Sequence, residues 1–252
     1  MNKLVVLGAG WLGKPLCLQA IARGWQVEGT RTQPVQESGF ERKLHLNAGV
    51  IQHSITLRDA WWVCAIPPRA RSEESTYLET LEKSLLLSKQ LDCKGFLLCS
   101  STGVYSDDSG CYSEQNETSI ASSRQRILVN AEQQVLNQSG KVLRLAGLVG
   151  EGREPGRFVS GKQLRSSSQG SVNMVHQQDV INAIFTVLNS WSEAKNIYNI
   201  CHPSHPSRQA YYQQKCHQLG TATPTFASDE KVERVINGAA ICQLGFHYQH
   251  EI

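Results

Sequence analysis

Three glycines near the start of the chain carry the first recognisable chemistry. Gly8, Gly10 and Gly13 stand in Gly8-Ala9-Gly10-Trp11-Leu12-Gly13, a G-x-G-x-x-G run. The residues before it, Leu4-Val5-Val6-Leu7, read as a buried strand, and a helix-like stretch follows it as far as Gly24. Strand, tight turn and helix in that order make a cradle for a pyrophosphate. Gly8 permits the sharp exit from the strand, Gly10 leaves the backbone bare for close approach, and Gly13 lets the helix pack against the strand. Trp11 and Leu12 lead into a helix whose first N–H groups and positive dipole end would face the phosphates. The ligand implied is a dinucleotide.

The end of the second strand should decide which one. It reads Glu28-Gly29-Thr30-Arg31-Thr32. Thr30 stands where an acidic side chain would take the ribose hydroxyls of NAD, and Glu28 comes two residues too early. Arg31 follows at once; a guanidinium can grip a 2′-phosphate through paired hydrogen bonds, whereas a carboxylate would repel it. NADP is therefore expected, with NAD as the alternative; a solvated Arg31 would remove the preference. Ile66, Pro67 and Pro68 close a later apolar strand and would border the ribose side of the cofactor, or simply stop the strand.

Apolar runs alternate with helical periods along the first part of the chain, the pattern of a parallel sheet covered on both faces. Strands are expected at Lys3–Leu7, Gln26–Thr30, Lys43–Leu46, Trp61–Ile66, Gly95–Ser100, Val142–Ala146 and Ile197–Cys201. Helices are expected at about Trp11–Arg23, Ser75–Gln90, Ser122–Asn137 and Ser207–Leu219, with another from Asp179, its expected N-cap, to about Asn189. The stretch from Gly150 to Val172 is rich in Gly, Ser and Arg and reads as a loop. The fold class is α/β, a doubly wound parallel (Rossmann) sheet over residues 1–150. Residues 151–252 would form the substrate loop and a small C-terminal substrate lobe, with one strand, about 197–201, returning to the sheet.

The fifth expected strand runs into Cys99-Ser100-Ser101-Thr102-Gly103-Val104-Tyr105. With the glycine run, this segment resembles the short-chain dehydrogenase/reductase superfamily, in its atypical, extended branch of NAD(P)-dependent nucleotide-sugar epimerase and dehydratase relatives. The resemblance covers nearly the whole chain. Lys141-Val142-Leu143-Arg144-Leu145-Ala146-Gly147-Leu148-Val149-Gly150 is similar to that branch's sixth strand and substrate loop. Asn173-Met174-Val175-His176-Gln177-Gln178-Asp179-Val180 is similar to its N-x-V-H-x-x-D-V segment, and Asn196-Ile197-Tyr198-Asn199-Ile200 to its seventh strand.

The resemblance implies hydride transfer on a carbonyl or hydroxyl of a sugar nucleotide or other small metabolite. It implies a Ser or Thr four residues before the tyrosine of a Val-Tyr pair, and Ser101 before Tyr105 fits. It also implies a Tyr-x-x-x-Lys pair on the following helix, the tyrosine as general acid–base and the lysine lowering its pKa. Here the chain departs. Counting back from Glu132 puts Arg124 in the tyrosine position and Leu128 in the lysine position. Three accounts stay open: Tyr105 or Tyr112 supplies the proton; Arg124 acts as an electrostatic group on an anionic substrate or a carbonyl; or the protein is a non-catalytic NADP-binding sensor or regulator. Candidate substrate contacts are Glu114, Arg153, Arg157, Lys162 and His176, each of which also has an ordinary structural or solvated reading.

Composition narrows the field further. At 252 residues the chain is long enough for a substantial core, and with 19 % charged residues and a net charge of +3 nothing suggests a nucleic-acid partner. The eight cysteines include no C-x-x-C and no metal spacing, and suit buried, reduced thiols in a cytoplasmic protein. No run is long enough for a membrane span, and no G-x-S-x-G elbow supports hydrolase chemistry. No metal is expected.

Overall fold

A computed structural model of the chain describes residues 1–47, 49–68, 76–231 and 233–252. In chain order the elements are β1 (Lys3–Leu7), α1 (Gly13–Ala22), β2 (Gln26–Arg31), β3 (Glu41–Asn47), β4 (Val50–His53), β5 (Trp61–Cys64), α2 (Tyr77–Gln90), β6 (Gly95–Ser101), β7 (Gly110–Tyr112), α3 (Ser123–Leu136), β8 (Lys141–Leu145), β9 (Gly147–Val149), α4 (Pro155–Val159), β10 (Gln163–Ser167), β11 (Met174–His176), α5 (Gln177–Asn189), β12 (Ile197–Ile200), α6 (Arg208–Leu219), β13 (Thr225–Ser228) and β14 (Arg234–Ile236). Ser75, the expected start of the second helix, lies outside the described residues.

Eight strands form one sheet in the order β12-β8-β6-β5-β1-β2-β3-β4. β1 pairs in parallel with β2 on one side and β5 on the other, so the strand order reverses at β1. In an open α/β sheet the crevice beyond that switch point receives the ligand. β4 runs antiparallel to β3 and caps the edge. The sequence reading ended the third strand at Leu46 and missed β4, a four-residue strand with little apolar patterning.

The chain forms two compact units. The first comprises residues 1–104, 118–144 and 194–197; the second comprises 105–117, 145–193 and 198–252. In the first, Val5, Leu7, Trp62, Phe96 and Leu98 on the strands meet Tyr77, Leu81 and Leu85 of α2 and Ala131 and Val135 of α3. Trp62 and Phe96 stack with ring centroids 6.4 Å apart. Every residue of β1 from Leu4 to Leu7 is fully buried, as a strand covered on both faces requires. α3 opens with a capping box: Gln125 N–H donates to Ser122 Oγ, and Gln125 Oε1 accepts from Ser122 N–H.

The second unit holds three short parallel pairs, β7 with β14, β9 with β11 and β10 with β13. The expected loop at 150–172 is therefore corrected. It contains α4, opened by Pro155 in its first turn, and β10, whose partner β13 lies some sixty residues on. Asp179 is also corrected. The N-cap of α5 is His176, whose Nδ1 accepts from Gln178 N–H at 3.1 Å. Asp179 sits one turn in, fully buried, and accepts from the backbone N–H groups of Gln249 and His250 and from His250 Nδ1 at 2.7 Å. A carboxylate can cap a helix or tie down a terminal segment, and here the terminal segment claims it.

The His176 cap carries a pH prediction. Burial first, then the His250 ring stacked on it at 4.8 Å, hold the His176 imidazole below the usual histidine value, with Lys215 adding to the effect and Asp179 opposing it. His202 is lowered too, chiefly by burial. A folded-state pKa below the unfolded one means the unfolded chain takes up protons first, so stability is lost as pH falls through about 6.5 toward the lowered value. Urea denaturation from pH 8 to 5 should show the second unit weakening below about pH 6.5. His176→Asn keeps a capping side chain and should flatten that slope; an unchanged slope would show that His176 is not its source.

Candidate functional site

The glycine turn is built as its residues suggest. Gly8 has φ +89°, in the left-handed region. Its N–H donates to Thr30 Oγ1 at 3.0 Å, and Ala9 N–H donates to Thr30 O at 2.8 Å. A Cβ on Gly8 would meet Ile66 Cγ1 and Ile66 N at 3.1 Å. The turn, the end of β2 and the exit from β5 thus converge. A Cβ on Gly13 would fall 2.1 Å from Gly8 O, so only glycine allows this approach of helix to turn. A Cβ on Gly10 would meet nothing within 4 Å among the described residues. Among the described residues no side chain caps the N-terminus of α1, and no acidic residue stands in its first turn. The cradle therefore fits a pyrophosphate at Gly10–Gly13, open where the ligand must come and tight where helix meets strand.

The residues beyond β2 sort cleanly. Thr30 is buried and committed to the turn. Glu28 is buried and accepts four hydrogen bonds, from Arg42 Nε, Thr56 N–H, Thr56 Oγ1 and Leu57 N–H. Burial works to raise its pKa, but the bonds from Leu57, Thr56 and Arg42 hold it below the usual carboxylate range. It is an internal anchor, not a ribose ligand. Arg31 keeps 43 % of its side chain exposed and stands 3.6 Å from Glu41, which orients it. Pro67 and Pro68 follow Ile66, Pro67 exposed and Pro68 half-buried.

Ser101 ends β6 and is half-buried. Its Oγ accepts from Gly103 N–H at 3.1 Å. A Cβ on Gly103 would lie 3.3 Å from Ser101 Oγ and 3.5 Å from Arg124 Nη2. The structure thus brings Ser101 and Arg124 to the same spot, although twenty-three residues separate them. Beneath them, Ser100 Oγ donates to Glu132 Oε1 at 2.6 Å. Arg144 reaches Glu132 through Nε and Nη2, the shorter contact 2.8 Å. Both charged side chains are about 95 % buried. This triad ties β6 and β8 to α3, the helix that carries Arg124. The reading of the sequence used Glu132 only to set the helix register, and missed this pairing; the signal was a charged residue on the apolar stripe of each element.

Tyr105 belongs to the second unit. It is fully buried, and its hydroxyl bonds Asn199 Oδ1 at 2.8 Å and Ser113 O at 2.9 Å. A phenol held this way serves the packing of its own unit. Tyr112 tilts against it at 5.3 Å. Glu114 Oε1 accepts from Asn199 N–H at 2.7 Å, so it too is occupied. Arg153 and Arg157 are exposed, Arg157 on α4 beside Glu154 at 3.9 Å. Lys162 lies over the Phe158 ring at 4.5 Å. Among the described residues no group of three His, Cys, Asp or Glu side chains could hold a metal.

One pattern escaped the sequence reading. Tyr211 and Lys215 on α6 form the chain's only Tyr-x-x-x-Lys. Lys215 Nζ stands 5.6 Å over the Tyr211 ring. The Tyr211 hydroxyl is buried with no hydrogen-bond partner among the described residues, and burial pushes its pKa up. A tyrosine that acts as general acid–base needs the opposite shift.

Comparison with known proteins fixes the kinship. Protein YeeZ of Escherichia coli strain K12 is 35 % identical over 267 residues, covering 99 % of this chain and 97 % of YeeZ. The chain belongs to the YeeZ family. No family model matches the sequence. Among solved structures, MoeE5 in complex with UDP-glucose and NAD superposes with a TM-score of 0.81 at 17 % identity, covering 100 % of this chain and 95 % of that one. The human epimerase family protein SDR39U1 with NADPH gives 0.73 at 14 % identity, covering 98 % and 94 %. The fold is that of the extended short-chain dehydrogenase/reductase proteins, as the residues around Gly8 and Ser101 implied.

Proposed function

We propose that this YeeZ-family chain binds NADP in preference to NAD and uses it for hydride transfer on a carbonyl or hydroxyl of a small metabolite. The observation that carries the reading is the turn at Gly8–Gly13, bare at Gly10 and locked to Thr30, in the same unit as the Ser101–Arg124 pair. The bound nicotinamide would supply or accept the hydride. The chain's own residues do the rest: α1 neutralises the pyrophosphate, Arg31 grips a 2′-phosphate, and Ser101 and Arg124 hold the substrate through its oxygens, with water giving or taking the proton that accompanies the hydride. The nucleotides bound by MoeE5 and SDR39U1 support a nicotinamide dinucleotide here. No helix among the described residues is long and apolar enough to cross a membrane. All eight cysteines are free thiols, and burial pushes those of Cys17, Cys64 and Cys201 up to about 12, which keeps them inert and suits the cytoplasm.

The second reading is a non-catalytic NADP sensor. It is favoured by the absence of a Tyr-Lys pair on α3 and by the buried hydroxyl of Tyr105. Stopped-flow nicotinamide fluorescence against a panel of carbonyl and hydroxyl substrates separates the two. Hydride transfer that collapses in Ser101→Ala supports the enzyme, and tight NADP binding without turnover on any substrate supports the sensor. For the cofactor preference, Arg31→Ala should weaken NADP binding roughly 10- to 100-fold and leave NAD nearly untouched, the effect of losing a charge-assisted hydrogen-bond pair. Equal affinity of the variant and the parent for NADP, by calorimetry, would remove the preference.

A further inference from the structure

We propose that Ser101 and Arg124 form a subsite for an anionic oxygen group on the substrate, a carboxylate or a phosphate, and not a proton-transfer site. The assignment rests on the oxidoreductase reading of the first unit and names the substrate class that reading leaves open.

The argument is one of donors and acceptors. Ser101 Oγ accepts from Gly103 N–H, and the hydroxyl can still donate its own hydrogen. Arg124 is exposed and makes no hydrogen bond or ion pair among the described residues. A guanidinium has five N–H donors, no lone pair to accept with, and a charge that persists at every accessible pH. The two groups converge on the space that a side chain at Gly103 would fill, 3.3 Å from one and 3.5 Å from the other, with Leu128 Cδ1 at 3.5 Å on a third side. An oxygen group that reaches past Gly103, where no side chain stands, can be bridged by a hydroxyl and a guanidinium.

The surroundings agree in sign. The first turn of α3 holds no acidic residue, and the positive end of the helix dipole favours an anion. The Glu132 carboxylate of the same helix is buried and already paired with Arg144 and Ser100. A guanidinium that cannot lose its charge beside a hydroxyl that can donate stabilises negative charge.

The test uses the full chain, with oxalate, inorganic phosphate and neutral oxamide as probes, read by calorimetry and thermal shift with and without saturating NADP at constant ionic strength. Oxalate or phosphate should bind, and the tighter of the two tells a carboxylate-bearing from a phosphate-bearing substrate. Oxamide should not bind. Arg124→Gln should weaken the anion roughly 10- to 100-fold with nucleotide affinity unchanged. Gly103→Ala should crowd the space without unfolding the protein, because two of its new contacts are at ordinary packing distance and the third, to Ser101 Oγ, is tight by only a few tenths of an ångström. Oxalate affinity should stay flat from pH 7 to 10. No binding by either anion, equal binding by Arg124→Gln, or a break in that pH profile would overturn the subsite. Because anion binding is also read without nucleotide, failure to bind NADP would remove the oxidoreductase reading by itself and leave the subsite standing or fallen on its own data.

Discussion

Gly13→Ala will abolish dinucleotide binding and destabilise the first unit together. The new Cβ would fall 2.1 Å from Gly8 O, 3.0 Å from Gly8 C and 3.1 Å from Val6 Cγ1. Two of those atoms are backbone, so no rotamer change can clear them. Either α1 lifts off the sheet or the turn opens, and the turn is pinned by the bonds of Gly8 and Ala9 to Thr30. Overpacking of this kind costs about 1–3 kcal/mol. At about 2–4 °C per kcal/mol for a chain of this size, melting should fall by roughly 2–12 °C. Gly10→Ala is the matched control. Its methyl meets nothing, so the fold and the melting temperature should hold while nucleotide affinity still drops, because the methyl occupies the place of the pyrophosphate. Wild-type affinity in Gly10→Ala would place the ligand elsewhere, and an undisturbed Gly13→Ala would contradict the close helix–turn approach.

Arg144→Met should be the most destabilising single change within the first unit. It strands the Glu132 carboxylate, about 95 % buried, with Ser100 as its remaining hydrogen-bond donor. Breaking one side of a buried ion pair costs about 3–5 kcal/mol, because the surviving charge loses its compensation in a low dielectric. Replacing the whole group by apolar residues, Arg144→Met with Glu132→Leu and Ser100→Ala, should recover most of that loss, since the pair's own net worth is small once both desolvation penalties are removed. Urea denaturation of the parent, the three single variants and the triple variant measures the coupling. Additive losses across the series would show that the three side chains do not act as one group. The triple variant also asks whether the triad fixes the Ser101–Arg124 geometry: it should fold yet bind oxalate more weakly than the parent.

Much of the first unit was legible from local chemistry. The turn at Gly8–Gly13 needs glycine at the three positions the sequence supplies, and the neighbouring strand and helix have the periods that both-sided burial demands. The expected strands at residues 3–7, 26–30, 61–66 and 95–100 all lie in the sheet within a residue or two of their ends. α3 was legible from its apolar stripe, with Leu128, Ala131 and Val135 buried as expected. The second unit was harder. β7, β9, β11 and β14 are three residues long, too short to show a period, and each is stabilised by a partner distant in the chain. Pro155 did announce α4, but a five-residue helix has little pattern to set against a stretch rich in glycine and serine.

The sequence by itself determined the elements whose information is local: the phosphate turn, the strand and helix periods, and the types of residue offered at the ends of β2 and β6. Only the tertiary structure decided which of those residues meet. Thr30 turned to the glycine turn, Glu28 turned to Arg42 and Thr56, Asp179 turned to the C-terminal segment, and Arg124 came beside Ser101. The reason is that side-chain partnership depends on the register and packing of distant segments, which no window of neighbouring residues encodes.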